Sequence, residues 1–338
     1  MGFRVLKAGM QTTIQDLGRY GYQSQGISVS GAMDVRSFKI ANMLLDNPEN
    51  EAELEICLIG PTLQFTSATI IAITGGDFAP TLNGEPVSMY TAVYVNKNDI
   101  LKFSSARTGS RCYVAFSSYL DVPVVMGSRS TNMKSVTGGF KGRPLREDDY
   151  IGFRQKRRYL PFFLSRKLDL KEFDQSDITL RVVMGPQDDM FTRQGIETFL
   201  NEEYSITSDF DRMGARLEGP FISTKNGSDI ISDGIAFGAV QVPAHGKPIV
   251  LLADRQTTGG YAKIATVCSV DIPKLVQGRI DTKIRFRAIT VEEAQKLYRD
   301  EIKELENMRK MIHTPCREVL DCRLVAKRLT QLFEEEGK

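Results

Sequence analysis

The chain has 338 residues, 41% of them hydrophobic and 25% charged, with 44 basic against 42 acidic side chains and a formal net charge of +2. That is material for about two soluble domains with apolar cores, and no apolar run is long enough to span a bilayer. The even mixture of charge excludes a general attraction to nucleic acid or an anionic membrane, so any anion site must be local.

The N-terminal MGFRVLKAGMQTTIQDLG reaches strand and turn residues at once, without the apolar core and cleavage site of a secretory signal. Leu6 stands where a myristoylation signal needs Ser or Thr, and a cytoplasmic location is expected. The stretch TTIQDLGRYGYQSQGISVSGAMD follows, dense in polar residues and glycine and poor in core material, the composition of a long functional loop or a poorly ordered one. VRSFKIANMLL then shows helical periodicity over 35–45, with Asp34 as its cap candidate.

From there most of the chain reads in twos. LEICLI, LQFTSATIIAI, AVYVN, RCYVAF, ITLRVVM, AFGAVQV and KIATVCSV alternate or run apolar between Gly, Asn, Asp and Pro, which predicts a mainly β chain of barrels or sandwiches. The alternation breaks over 154–177, where the basic RQKRRYLPFFLSRK precedes KEFDQSD. A phosphate site is one reading of that run, and a solvated connector the plainer one. The resulting division is a first β domain over 1–160, a linker over 161–177, a second β domain over 178–290 and a helical C-terminal segment over 291–338.

Helical spacing returns near 188–200, with Phe191, Ile196 and Phe199 on one face, and from Val291 through Ala294, Leu297, Tyr298, Ile302, Leu305 and Met308 until Pro315 interrupts. A further amphipathic stretch, 316–333, has an apolar face to bury on this chain or on a partner. VNKNDILKF, LREDDYIGF and GRIDTKIRF each place acidic turn residues before a closing strand, an echo that fits two related barrels in tandem.

Chemistry-bearing residues are few. Cys57, Cys112, Cys268, Cys316 and Cys322 are odd in number and scattered, and only His245 and His313 are histidines. No metal site and no histidine-based triad is expected. No G-x-x-x-x-G-K-[ST] loop or G-x-G-x-x-G set is present.

LADRQTTGGYAKI is the most suggestive stretch, with charge and glycine between two apolar runs. Gly259 and Gly260 permit positive φ, so N–H groups there, with the hydroxyls of Thr257 and Thr258, are candidates for an anion site. Period two puts Tyr261 and Lys263 on one strand face; an ordinary hairpin with a snorkelling lysine is the alternative. In SDFDRMGARLEGP, Asp209, Asp211, Arg212, Arg216 and Glu218 read by themselves as weak surface ion pairs.

Together TTIQDLGRYGYQSQGISVSGAMD, NPENEAELEICLIGPTLQF, ITGGDFAPTLNG, DRMGARLEGP, SDGIAFGAVQVPAHGKPIVLLADRQTTGGYAKIATV and GSRSTN…GGFKGRPL resemble the family called biotin-dependent carboxyltransferase, allophanate-hydrolase subunit 2 or the 5-oxoprolinase C subunit. The likeness runs from about residue 3 to about residue 299. It implies two tandem cyclophilin-like β-barrels and three alternative functions. One is the C subunit of an ATP-dependent 5-oxoprolinase, acting with A-like and B-like subunits to hydrolyse 5-oxoproline to L-glutamate. Another is transfer of a carboxyl group from carboxybiotin, held on a separate carrier, to urea or a similar small amide. The third is a non-catalytic antagonist of an inhibitor of a histidine kinase. Fold alone does not choose among them, though a separate subunit without carrier, biotin carboxylase or amidase segments suits the first.

The same resemblance implies Lys263 and Asp211 as catalytic residues. Lysine would stabilise negative charge on a carboxyl or amide oxygen, and aspartate would orient or deprotonate a nucleophile. Asp254, Arg255, Gln256 and Thr257 would shape the pocket together with Thr258, Gly259, Gly260 and Tyr261, Arg255 gripping a substrate carboxylate. Arg216, Arg129 and Asp34 are further candidates, the last two reading as structural ion pairs just as well.

Overall fold

A computed structural model describes residues 1–170, 173 and 177–315. The first β unit is two antiparallel sheets. One has seven strands in the order Leu120–Asp121, Tyr150–Phe153, Gly2–Lys7, Thr62–Phe65, Ile100–Lys102, Thr81–Leu82 and Glu85–Pro86; the other has five, Gln11–Gln15, Glu53–Cys57, Arg111–Phe116, Thr69–Gly75 and Ala92–Val95. Alternating apolar residues from both sheets meet in one core. There Phe3 stacks on Phe116 at 5.3 Å, with Phe65 and Phe153 beside them.

The second unit is a closed seven-stranded barrel. Around it run Asp177–Met184, Lys263–Val267, Ala239–Gln241, Ile249–Leu251, Gly214–Glu218, Tyr204–Phe210 and Lys283–Ala288, the last pairing parallel with the first. Leu180, Val182, Ile206, Leu217, Val250 and Ile264 fill its interior. A separate two-stranded ribbon, Asp229–Gly234 with Thr258–Tyr261, projects from it. The architecture is thus mainly β, as the alternation implies.

Helices are few. α1 (Val35–Leu44) is capped by the Asp34 carboxylate, which accepts from Ser37 N at 2.9 Å, as its position predicts. α2 (Arg193–Asn201) starts later than the periodicity suggests, because Asp188–Met190 forms a 3₁₀ turn and Thr192 supplies the cap. α3 (Ile272–Gln277) is too short to show a period in sequence. α4 (Val291–Ile312) opens on a Thr290/Glu293 capping box. Met308 and Ile312 of α4 pack with Ile40 and Leu44 of α1, so a helix that leaves the second unit is anchored on the first. Val291, Tyr298 and Ile302 stay substantially exposed. No described helix is long and apolar enough to cross a membrane. The amphipathic stretch at 316–333 lies outside the described residues.

Packing refines two readings. The basic run at 154–167 is solvated only in part. Arg166 is fully buried and grips Asp46 bidentately at 2.7 and 2.6 Å, Arg154 pairs with Glu51, and Leu160 and Leu168 join the α1 core. Arg154, Arg157 and Arg166 are each matched by an acidic or carbonyl oxygen that sequence distance hides, while Lys156 and Arg158 stay exposed. The loop after Gln15 is ordered by polar bonds in place of apolar ones: Asp16 accepts from Gly18 N, Ser128 Oγ, Ser130 Oγ and Arg129 N.

Candidate functional site

The strand Lys263–Val267 carries the lysine singled out in sequence. Against Ala239–Gln241, Val240 faces Ala265 while Gln241 faces Lys263, so Ile264 is an extra residue in a bulge. The bulge breaks strict alternation, and Lys263, Ile264 and Ala265 are all buried. Gly185 lies against this bulge so closely that a Cβ there would come within 2.2 Å of the Lys263 carbonyl oxygen. That approach places the following Gln187 beside the lysine, where its Oε1 accepts from Lys263 N at 3.2 Å.

Lys263 is 4% exposed. Its Nζ donates to Asp233 Oδ2 at 3.0 Å, and Gln187 Nε2 approaches the same oxygen at 3.5 Å. Asp233 sits on the projecting ribbon and is exposed; the hydrogen bond from Lys263 lowers the pKa of its carboxyl. A buried ammonium is thereby held under an exposed carboxylate at the foot of a ribbon whose Ile231 is 96% exposed. A sheltered cation with an exposed counter-ion can stabilise developing negative charge on an oxygen that takes the carboxylate's place. Asp233 and Gln187 escaped sequence reading; the weak signal was Asp-Gly in SDGIAFGA, whose strand pairs with TTGG.

The other sequence candidates fall into different roles. Asp211 is exposed, and its Oδ1 accepts from Met213 N at 2.7 Å and Gly214 N at 3.0 Å, closing the turn into Gly214–Glu218. It makes no described contact with Lys263. Arg216 is exposed on that strand and, among the described residues, its side chain donates to the Asp209 carbonyl at 3.3 Å. Asp254 is buried and forks onto Arg212 at 2.9 and 3.1 Å. Arg255 is buried too, donating to the carbonyls of Ile235 and Leu252 and lying over the Phe237 ring; burial lowers its pKa. Two of its five N–H donors are committed to carbonyls and the guanidinium is buried, a structural placement rather than an exposed one.

Gly259 and Gly260 form no anion nest. Neither lies in the left-handed region, because both run extended in the ribbon. Gly259 is small for packing: a Cβ there would meet Ile235 Cδ1 at 2.6 Å. Thr257 uses its carbonyl on Ile235 N, Gln256 and Thr258 are exposed, and Tyr261 is 41% exposed beyond the break at Ala262, away from the face that period two assigned it. Arg129 is half-buried, donating to the Val122 carbonyl at 3.2 Å.

Asp34 is fully buried. It caps α1 and accepts from Gln277 Nε2 at 2.8 Å, and burial raises the pKa of its carboxyl. Gln277 also takes Ser110 N and Arg111 N on its Oε1, both at 2.9 Å, bolting the second unit to the first. Arg212, read as a surface charge, is buried in that seam. Burial opposes its charge, yet Asp254 and Glu55 outweigh the penalty and raise its pKa. Three cavities, of about 530, 330 and 240 Å³, flank the helices; Lys263 lines none of them, so the concave pocket expected at the glycine turn is not among them.

Residues 25–288 match the carboxyltransferase domain family, subdomains A and B. The chain belongs to this carboxyltransferase family. It is 34% identical to the 5-oxoprolinase C subunit of Haemophilus influenzae over 91% of this chain and 98% of that protein. Identity to the 5-oxoprolinase C subunit of Escherichia coli is 33%, over 92% and 98%. Urea amidolyase of Lachancea kluyveri is 30% identical over 90% of this chain, but only 18% of that protein is covered. Among solved structures, urea amidolyase of K. lactis superposes with a TM-score of 0.83 at 29% identity, over 91% of this chain. The carboxyltransferase-family chain spans 20% of that longer protein.

Proposed function

We propose that this chain is the C subunit of an ATP-dependent 5-oxoprolinase, a hydrolase that opens 5-oxoproline to L-glutamate with A-like and B-like subunits. The observation that carries this reading is end-to-end likeness to separate subunits of that name, 98% of the Haemophilus influenzae protein being covered, whereas the urea amidolyases are matched over a small fraction of their length. The exposed ribbon beside Lys263 supports a site completed by another subunit. In this proposal Lys263, released from Asp233, stabilises charge on the lactam or carboxyl oxygen during C–N cleavage, and Asp233 rather than Asp211 is the carboxylate at hand. The chain's own residues do not suit ATP: there is no phosphate loop, and Gly259 and Gly260 are extended. The nucleotide is therefore assigned to the complex.

The test is co-expression with cognate A-type and B-type proteins and an assay of ATP-dependent glutamate release from 5-oxoproline. A rate no greater than that of A plus B alone would remove the reading. The family match and the 0.83 superposition on urea amidolyase favour a second one, carboxyl transfer from carboxybiotin on a separate carrier to a small amide. It predicts carboxylation that requires bicarbonate and a biotinylated protein.

A further inference from the structure

The cavity of about 530 Å³ lies among α3, α4 and the outer side of the strand Asp177–Met184, a volume suited to a small organic ligand. Its charge is divided by element. On one wall Arg181 binds Asp271 bidentately at 2.7 and 2.6 Å, and Lys274 shares that same buried carboxylate at 2.8 Å. Two cations thus face one anion, and Lys274 keeps 41% of its side chain exposed.

The wall formed by α4 is the reverse. Asp300, Glu301 and Glu304 line the cavity with Arg36 as the cation among them, Arg36 lying 2.9 Å from Glu304 and 3.7 Å from Glu301. Glu301 is mostly buried, its side chain 18% exposed. Burial raises the pKa of its carboxyl against the opposing charges of Arg36 and Lys39. Apolar surface from Ile178, Pro273 and Leu297 joins the two walls.

We infer that this cavity binds a free α-amino acid with an apolar side chain, its carboxylate on Lys274, its ammonium on Glu301 and its side chain against Ile178, Pro273 and Leu297. A simple anion would meet the acidic wall and a simple amine the basic one, whereas a zwitterion satisfies both. Gln277, the residue that bolts the two units together, also lines the cavity, so an occupant would stabilise the seam. The site does not depend on the proposed function.

The test is calorimetric titration and thermal melting of the full chain with L-leucine, 4-methylpentanoate, which lacks the amine, and 3-methylbutylamine, which lacks the carboxylate. L-leucine is expected to bind and raise Tm, and each half-molecule to bind at least about tenfold more weakly. Lys274→Met and Glu301→Gln should each weaken L-leucine binding by about tenfold or more without lowering the ligand-free Tm, since Arg181 still pairs Asp271 and Arg36 still pairs Glu304. No binding of L-leucine at 10 mM or so, equal binding of either half-molecule, or unchanged affinity in both variants would overturn the assignment.

Discussion

Arg212 of the second β unit donates through Nη1 to Glu55 of the first, while its Nε holds Asp254 at 2.9 Å and its Nη2 reaches the Gly31 carbonyl at 2.6 Å. One guanidinium therefore neutralises two buried carboxylates from opposite sides of the seam. Tyr113 Oη and Met33 N complete the shell of Glu55, at 2.7 and 2.8 Å. Such a group is costly to desolvate and costlier to break.

Arg212→Met should accordingly destabilise the chain by about 3–5 kcal/mol, since it leaves Glu55 and Asp254 buried without a cation. Urea unfolding followed by circular dichroism measures it. A loss below about 1 kcal/mol, the scale of a surface pair, would show that the seam is open to water.

Lys263→Met should reduce turnover of the assembled enzyme by about a hundredfold or more, the scale of removing one preorganised charge-stabilising group. Asp233→Asn should have the smaller effect, because its carboxylate is exposed and only holds the ammonium in waiting. Steady-state glutamate release in the presence of A-type and B-type subunits decides; retention of full activity in Lys263→Met would end the catalytic reading of that lysine.

Asp211 and Lys263 should separate in the same assay. Asp211→Asn keeps an oxygen for Met213 N and Gly214 N and should leave turnover within about twofold, whereas Asp211→Ala should cost about 1 kcal/mol of stability through the lost turn bonds. A large activity loss in Asp211→Asn with normal melting would instead restore its carboxylate to the chemistry.

Glu53 predicts a pH effect. Its carboxyl is fully buried with no well-formed hydrogen bond to either oxygen among the described residues, and burial, then the nearby Glu51 charge, raises its pKa well above the usual carboxylate range against a weak contact from the Asn42 backbone. It lies directly opposite Gln15, whose Oε1 also lacks a donor; a protonated Glu53 is suited to supply one. The folded chain holds this proton more tightly than the unfolded chain. Its stabilising contribution is therefore complete below the unfolded value of about 4.3 and lost as pH rises toward the folded value. Glu53→Gln should raise Tm by a few °C at pH 8 and leave it unchanged near pH 4. Equal shifts at both pH values would mean that protonation is not the cause.

The sequence by itself determined the periodic features. Alternation marked the β architecture because side chains on a strand change face at every residue, Asp34 marked the start of α1 because a cap must sit beside its helix, and the 3.6-residue period from Val291 marked α4. Its long motifs also identified the family. What only the tertiary structure decided is which charge meets which. Arg212 and Asp211 are adjacent in DRMGARL, yet one is sealed in the seam by Glu55, 157 residues away, and the other caps an exposed turn. Lys263 found Asp233 through a strand bulge and a projecting ribbon, neither of which has a period to read. Electrostatic partners are set by through-space distance and local burial, and a linear order of residues encodes neither until the chain has closed on itself.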